Sequence, residues 1–200
     1  MKTFYLLFLT CCLLCLSQPN IGVAQTMNLS WQKTFDGKGN EQFNDLIEAT
    51  NGNLVAVGKS SSQSAGGDDG YLVFADFSTG ANILERRFGG KKNEEFKAVV
   101  QTFDGGFVLA GSTESNTVGK KDAWLMKVDE YGTLLWEKSF GSKGSDSWEC
   151  LSIQSDGSLV AAGYWDGNVR VAKLVGQEIE WETIIGKGKY DNLTGMAMAA

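Results

Sequence analysis

Residues 104–111 read Asp-Gly-Gly-Phe-Val-Leu-Ala-Gly. Asp104, Gly105 and Gly106 supply the positive φ angles that a tight hairpin demands. Phe107 to Gly111 is apolar throughout, as expected of a strand covered on both faces. Before the turn, Glu95 to Thr102 carries Phe96, Ala98, Val99 and Val100 and reads as the partner strand. Beyond it, the polar stretch Ser112 to Lys121 makes the longest loop, and Asp122 to Asp129 reads as a third strand. The turn Asp129-Glu130-Tyr131-Gly132 then leads into Leu134 to Phe140 as the fourth. The unit is therefore four short antiparallel strands joined by turns.

The unit recurs. Asn51 to Gly58 and Asp156 to Gly163 match Asp104 to Gly111, so Gly111 has counterparts at Gly58 and Gly163. The fourth-strand motif Trp136-Glu137-Lys138-Ser139-Phe140-Gly141 is preceded by copies at Trp31 and Leu84 and followed by a worn copy at Trp181. Phe35, Phe88 and Phe140 are each followed, eight residues on, by Phe43, Phe96 and Trp148. The third copy is short because its long loop shrinks to Trp165-Asp166-Gly167-Asn168. A period of about 50 residues marks units that cannot bury their faces alone, and four-stranded units of this length are propeller blades.

The expectation is an all-β chain: a β-propeller-type array of four-stranded antiparallel blades, about three and a half in number. Its leading strand spans 29–37, blade one 42–88, blade two 95–140, blade three 147–185 and a truncated blade four 192–200. Three complete blades fall below the four needed to close a ring, so the propeller is expected to be incomplete and open, with further C-terminal blades or modules missing. Trp31, Phe35, Phe88, Gly111, Trp124, Trp136, Phe140 and Trp181 are expected to be structural.

The ends and the composition bound the function. Lys2, the apolar run Phe4 to Leu16 and the small residues Gly22-Val23-Ala24 form a secretion signal over residues 1–24, with cleavage after Ala24 and a short leader at 25–28. No stable membrane span is expected after cleavage. Loss of Lys2 moves the net charge from −6 to −7. An acidic exported chain lacks the clustered cations that nucleic-acid phosphates require. Three of the four cysteines leave with the signal, so no intrachain disulfide is expected in the mature chain. The chain has no histidine, which removes Ser-His-Asp, Cys-His and His-ligated metal chemistry.

The Trp-x-Lys-x-Phe-Gly motif at 136–141, the hairpin at 104–111 and Asp122-Ala123-Trp124-Leu125-Met126-Lys127-Val128-Asp129 together resemble the bacterial secreted β-propeller repeat proteins of the delta-60 or seven-bladed propeller-repeat type. The resemblance covers residues 29–200. It implies an extracellular or cell-surface scaffold, often joined to adhesion or sorting modules.

Candidate sites are few. The spacing from Asp129 through Gly132 to Trp136 is similar to the tryptophan-docking pattern of quinoprotein propellers, where the indole locks adjacent blades and no cofactor is implied. Asp68 and Asp69, in Gly66-Gly67-Asp68-Asp69-Gly70, read as a solvated turn; calcium would need six to eight converging oxygens. Tyr164 and Trp165 beside a tight turn read first as blade packing or turn burial, and a platform for a sugar is the alternative. These four residues are the candidate binding-loop positions; no catalytic, metal or cofactor residue is assigned. The expected function is an exported, non-catalytic scaffold whose variable loops contact a glycan or an extracellular protein. A polysaccharide hydrolase or lyase would instead need two converging, unrepeated carboxylates, and a structural spacer in an adhesin would need no ligand.

Overall fold

A computed structural model describes residues 29–35 and 37–185. Each of the three copies forms one four-stranded antiparallel sheet. The first sheet comprises β1 (Glu41–Glu48), β2 (Asn53–Ser60), β3 (Asp69–Asp76) and β4 (Asn82–Phe88). The second comprises β5 (Glu94–Gln101), β6 (Phe107–Thr113), β7 (Asp122–Val128) and β8 (Leu134–Phe140). The third comprises β9 (Asp146–Ile153), β10 (Leu159–Trp165), β11 (Asn168–Val175) and β12 (Glu178–Ile185). Strands pair in chain order within each sheet. No helix among the described residues is long and apolar enough to cross a membrane.

The period of two along a strand explains how the sheets stack. In β6 and β7, Phe107, Leu109, Trp124, Met126 and Val128 face the first sheet and join Val55, Val57, Leu72 and Phe74 in one buried cluster. Their neighbours Val108, Ala110, Ala123 and Leu125 face the other way and pack with Trp148, Leu159, Ala161, Ala172 and Leu174 of the third sheet. The middle sheet is thus covered on both faces, which is why β6 and β7 are buried along their whole length. Fourth strands β4, β8 and β12 are partly or largely exposed.

The same aromatic joint precedes each first strand among the described residues, at β4–β5, at β8–β9 and between residues 31–35 and β1. Phe35 and Phe43, Phe88 and Phe96, and Phe140 and Trp148 meet edge to face, with ring centroids 5.8, 6.2 and 6.1 Å apart. Each first strand carries a bulge just after that aromatic residue, at Asn44, Lys97 and Glu149. The bulge turns the preceding carbonyl toward the second strand, onto the space a side chain at Gly58, Gly111 or Gly163 would fill. Glycine is retained there because only its bare Cα admits the bulged backbone.

Residues 29–35 depart from expectation, for they are not hydrogen-bonded as a strand. A strand needs a neighbouring ladder, and the described residues offer none on that side. Trp31 nevertheless donates its indole N–H to the Phe77 carbonyl at 2.9 Å and lies over Gly80, as Leu84 lies over Gly132 one sheet later. Trp136 packs against the cluster between the second and third sheets, whereas Trp181, expected to pack like its counterparts, is 46% exposed. The proposed signal (1–24), leader (25–28) and fourth blade (192–200) lie outside the described residues.

Candidate functional site

The antiparallel order puts the β2–β3 and β6–β7 loops at one end of the molecule with the β4–β5 and β8–β9 connections. Backbone hydrogen bonds tie them together: Gly67 N–H to the Lys92 carbonyl, Glu114 N–H to that of Asn93, and Lys120 N–H to that of Gly144, all at 2.8–2.9 Å. One acid per sheet pins the connection. Glu94 accepts from Gly90 N–H at 2.6 Å, Ser115 N–H at 3.1 Å and the Thr113 hydroxyl at 3.0 Å. Asp146 accepts from Ser142 N–H at 2.5 Å and Asp166 N–H at 2.9 Å. Glu41 accepts from Gly37 N–H and the Ser60 hydroxyl; hydrogen bonding, led by that from Ser62, lowers its carboxyl below the ordinary value. Glu41, Glu94 and Asp146 each stand six residues after the joint phenylalanine, a recurring acid visible in the sequence but given no role there.

Two clefts open among these loops. The smaller, about 230 Å³, is lined by Lys59, Asp68, Asn93, Glu94, Glu95, Ser112, Glu114 and Lys121. Lys59 pairs with Asp68 at 2.8 Å, and that hydrogen bond raises its ammonium above the ordinary value. Asn93 accepts from Asp68 N–H and donates to Glu114 at 2.9 Å. The larger, about 530 Å³, runs between β4 and β8; Trp124 and Met126 contribute to its lining, with Arg87, Glu94, Asn116, Glu137 and Lys138 among its polar groups. The Trp124 indole donates to Glu137 at 3.1 Å.

The four sequence candidates separate. Asp68 lines the smaller cleft; Asp69 does not and is not solvated. It is 3% exposed and accepts from Ala65 N–H at 2.9 Å, because the first residue of β3 faces the joint rather than the loop surface. Trp165 belongs to the third sheet and packs on the cluster beneath it. The Arg170 guanidinium lies 3.6 Å over its ring, and Trp148 is at 6.2 Å. Tyr164 precedes it on β10, and neither residue lines either cleft. Lys59, Asn93, Glu114 and Lys121 escaped sequence reading because each is an ordinary loop or strand-end polar residue until pairing brings it beside the others. Among the described residues no three metal-ligating side chains converge. No known family model and no curated protein matches the chain.

Proposed function

We propose that the three sheets are consecutive blades of an open β-propeller-type array, and that the protein is an exported, non-catalytic module binding a glycan at its loop end. The smaller cleft carries this reading. Its lining of Lys59, Asp68, Asn93, Glu95, Ser112, Glu114 and Lys121 offers donors and acceptors at loop tips and strand ends, which suits sugar hydroxyls rather than an apolar ligand. The site is built from what the copies do not share. The third sheet replaces the corresponding loop with the two-residue turn Asp166-Gly167, so it has no such wall. What the copies do share, the aromatic joints and the pinning acids, is scaffold. The propeller arrangement is supported by the identical joint at successive sheets and by Trp31 and Phe35, which stand to the first sheet as Leu84 and Phe88 stand to the second. Export rests on the signal read at residues 1–24.

The test is binding of the secreted chain to a glycan array. Asp68→Ala and Asn93→Ala together should abolish a signal that Trp165→Ala leaves in place. Absence of binding by the parent protein, or its loss only with Trp165→Ala, would overturn the assignment. Edman sequencing of the secreted protein should begin at Gln25.

A further inference from the structure

Asp69 and Glu94 meet at the joint between the first and second sheets, at the ends of β3 and β5. They are 3% and 2% exposed. Asp69 Oδ1 and Glu94 Oε2 converge on one point, the space a Cβ on Gly89 would occupy, so glycine is what lets them approach. Three of the four carboxyl oxygens accept hydrogen bonds: Asp69 Oδ2 from Ala65, Glu94 Oε1 from Thr113 and Ser115, and Glu94 Oε2 from Gly90. The fourth, Asp69 Oδ1, is buried with no hydrogen-bond partner. A buried ionised oxygen facing another carboxylate is costly, and a carboxylic acid in that place is not.

The next joint supplies an internal comparison. Asp122 occupies the place of Asp69, and Asp146 that of Glu94. There Asp122 accepts from Val118 and Gly119, Asp146 accepts at both oxygens, and neither residue has an unpartnered buried oxygen. The arrangement at Asp69 is therefore particular to the first joint. The charged groups facing it are Glu94 on β5, Arg87 on β4 and Asp68 in its own loop. Arg87 is engaged elsewhere, with Glu85 at 3.4 Å and over the Tyr71 ring at 4.7 Å. Asp68 is paired with Lys59.

We propose that Asp69 is protonated in the folded protein and donates from Oδ1 to Glu94 Oε2, forming a proton-sharing latch between the first and second sheets that is released as pH rises. Release transfers the proton to solvent and leaves two buried carboxylates facing each other. Burial first, and then the charge of Glu94, push the Asp69 carboxyl above its ordinary value. A raised folded value binds a proton that the unfolded chain has given up, so the latch's contribution is present at acid pH and is lost as pH rises through the folded value.

Asp69→Asn tests this, because the amide can donate to Glu94 whatever the pH while its carbonyl accepts from Ala65. Thermal unfolding of the full chain should give equal Tm values for parent and variant near pH 4. Near pH 9 the variant should melt higher by about 2–4 °C, the shift that a modest interaction makes in a chain of this size. Asp122→Asn should instead lower Tm at neutral pH without removing the alkaline decline. The carboxyl carbon-13 shift of Asp69 in the parent protein is the second readout and needs no variant to fold. Titration above the ordinary aspartate range supports the latch. A single step at or below that range, or parallel Tm curves for parent and Asp69→Asn, overturns it.

Discussion

Lys127 shows how one residue clips a hairpin to a sheet. Its side chain is 7% exposed at the end of β7, and its ammonium donates to Asp104 at 2.7 Å and to Thr102. The Lys127 hydrogen bond first, then the Thr102 hydroxyl, hold the Asp104 carboxyl down to about 2. Lys173 and Asp156 repeat the pair in the third sheet at 3.6 Å. A lowered folded value means the unfolded chain takes up protons first as the solution is acidified. This contribution is therefore present above the ordinary aspartate value and is lost as pH falls through the folded value. Lys127→Met should raise the Asp104 carboxyl toward the ordinary range, read by carbon-13 titration. Asp104→Ala should destabilise by about 1 kcal/mol or less in urea, because Asp104 is 63% exposed and screened by water, and Lys127 keeps the Thr102 hydroxyl as an acceptor.

At the scale of the element, the bulge and the aromatic joint decide where stability resides. Gly111→Ala would drive a methyl group into the Glu95 carbonyl of the bulged β5, and should cost about 1–3 kcal/mol in urea denaturation. Phe96 is 0% exposed, stacked on Trp124 with ring centroids at 4.9 Å, whereas Phe43 is 40% exposed. Phe96→Ala should therefore cost about 3–5 kcal/mol and Phe43→Ala about half of that or less, although the sequence places the two in equivalent positions. That contrast marks what was legible. The strands and their turns could be read because each carries its own glycines, aspartates and alternating apolar residues. The invariance of Gly58, Gly111 and Gly163 was visible, but its cause was not, since a bulge on the partner strand leaves no local mark at the glycine. Asp69 was misread as solvated for a related reason. Gly-Gly-Asp-Asp-Gly has the composition of an exposed turn, and only pairing in β3 carries its second aspartate into the joint. The smaller cleft was half legible: Asp68 was singled out, while Asn93 and Glu114 arrive from loops 20 or more residues away.

For the three-sheet array, the stacking order predicts how a local defect spreads. The principal contacts between sheets run from β1, β2 and β3 to β5, and from β5, β6 and β7 to β9. Leu109 and Leu125 are both 0% exposed, yet they lie in different clusters, one toward the first sheet and the other toward the third. In a linear array, stability is close to the sum of each unit's own stability and its nearest-neighbour interfaces. Truncating either leucine should cost about 2–5 kcal/mol, and the loss belongs to one interface. Amide hydrogen exchange should distinguish them, because opening without global unfolding is governed by local packing. Leu109→Ala is expected to speed exchange chiefly in β1–β4, and Leu125→Ala chiefly in β9–β12, with β6 and β7 the slowest strands in both. Equal acceleration in all three sheets would instead show one indivisible cooperative unit. In that case the middle sheet would hold the array as a single core rather than as the shared neighbour of two separable ones.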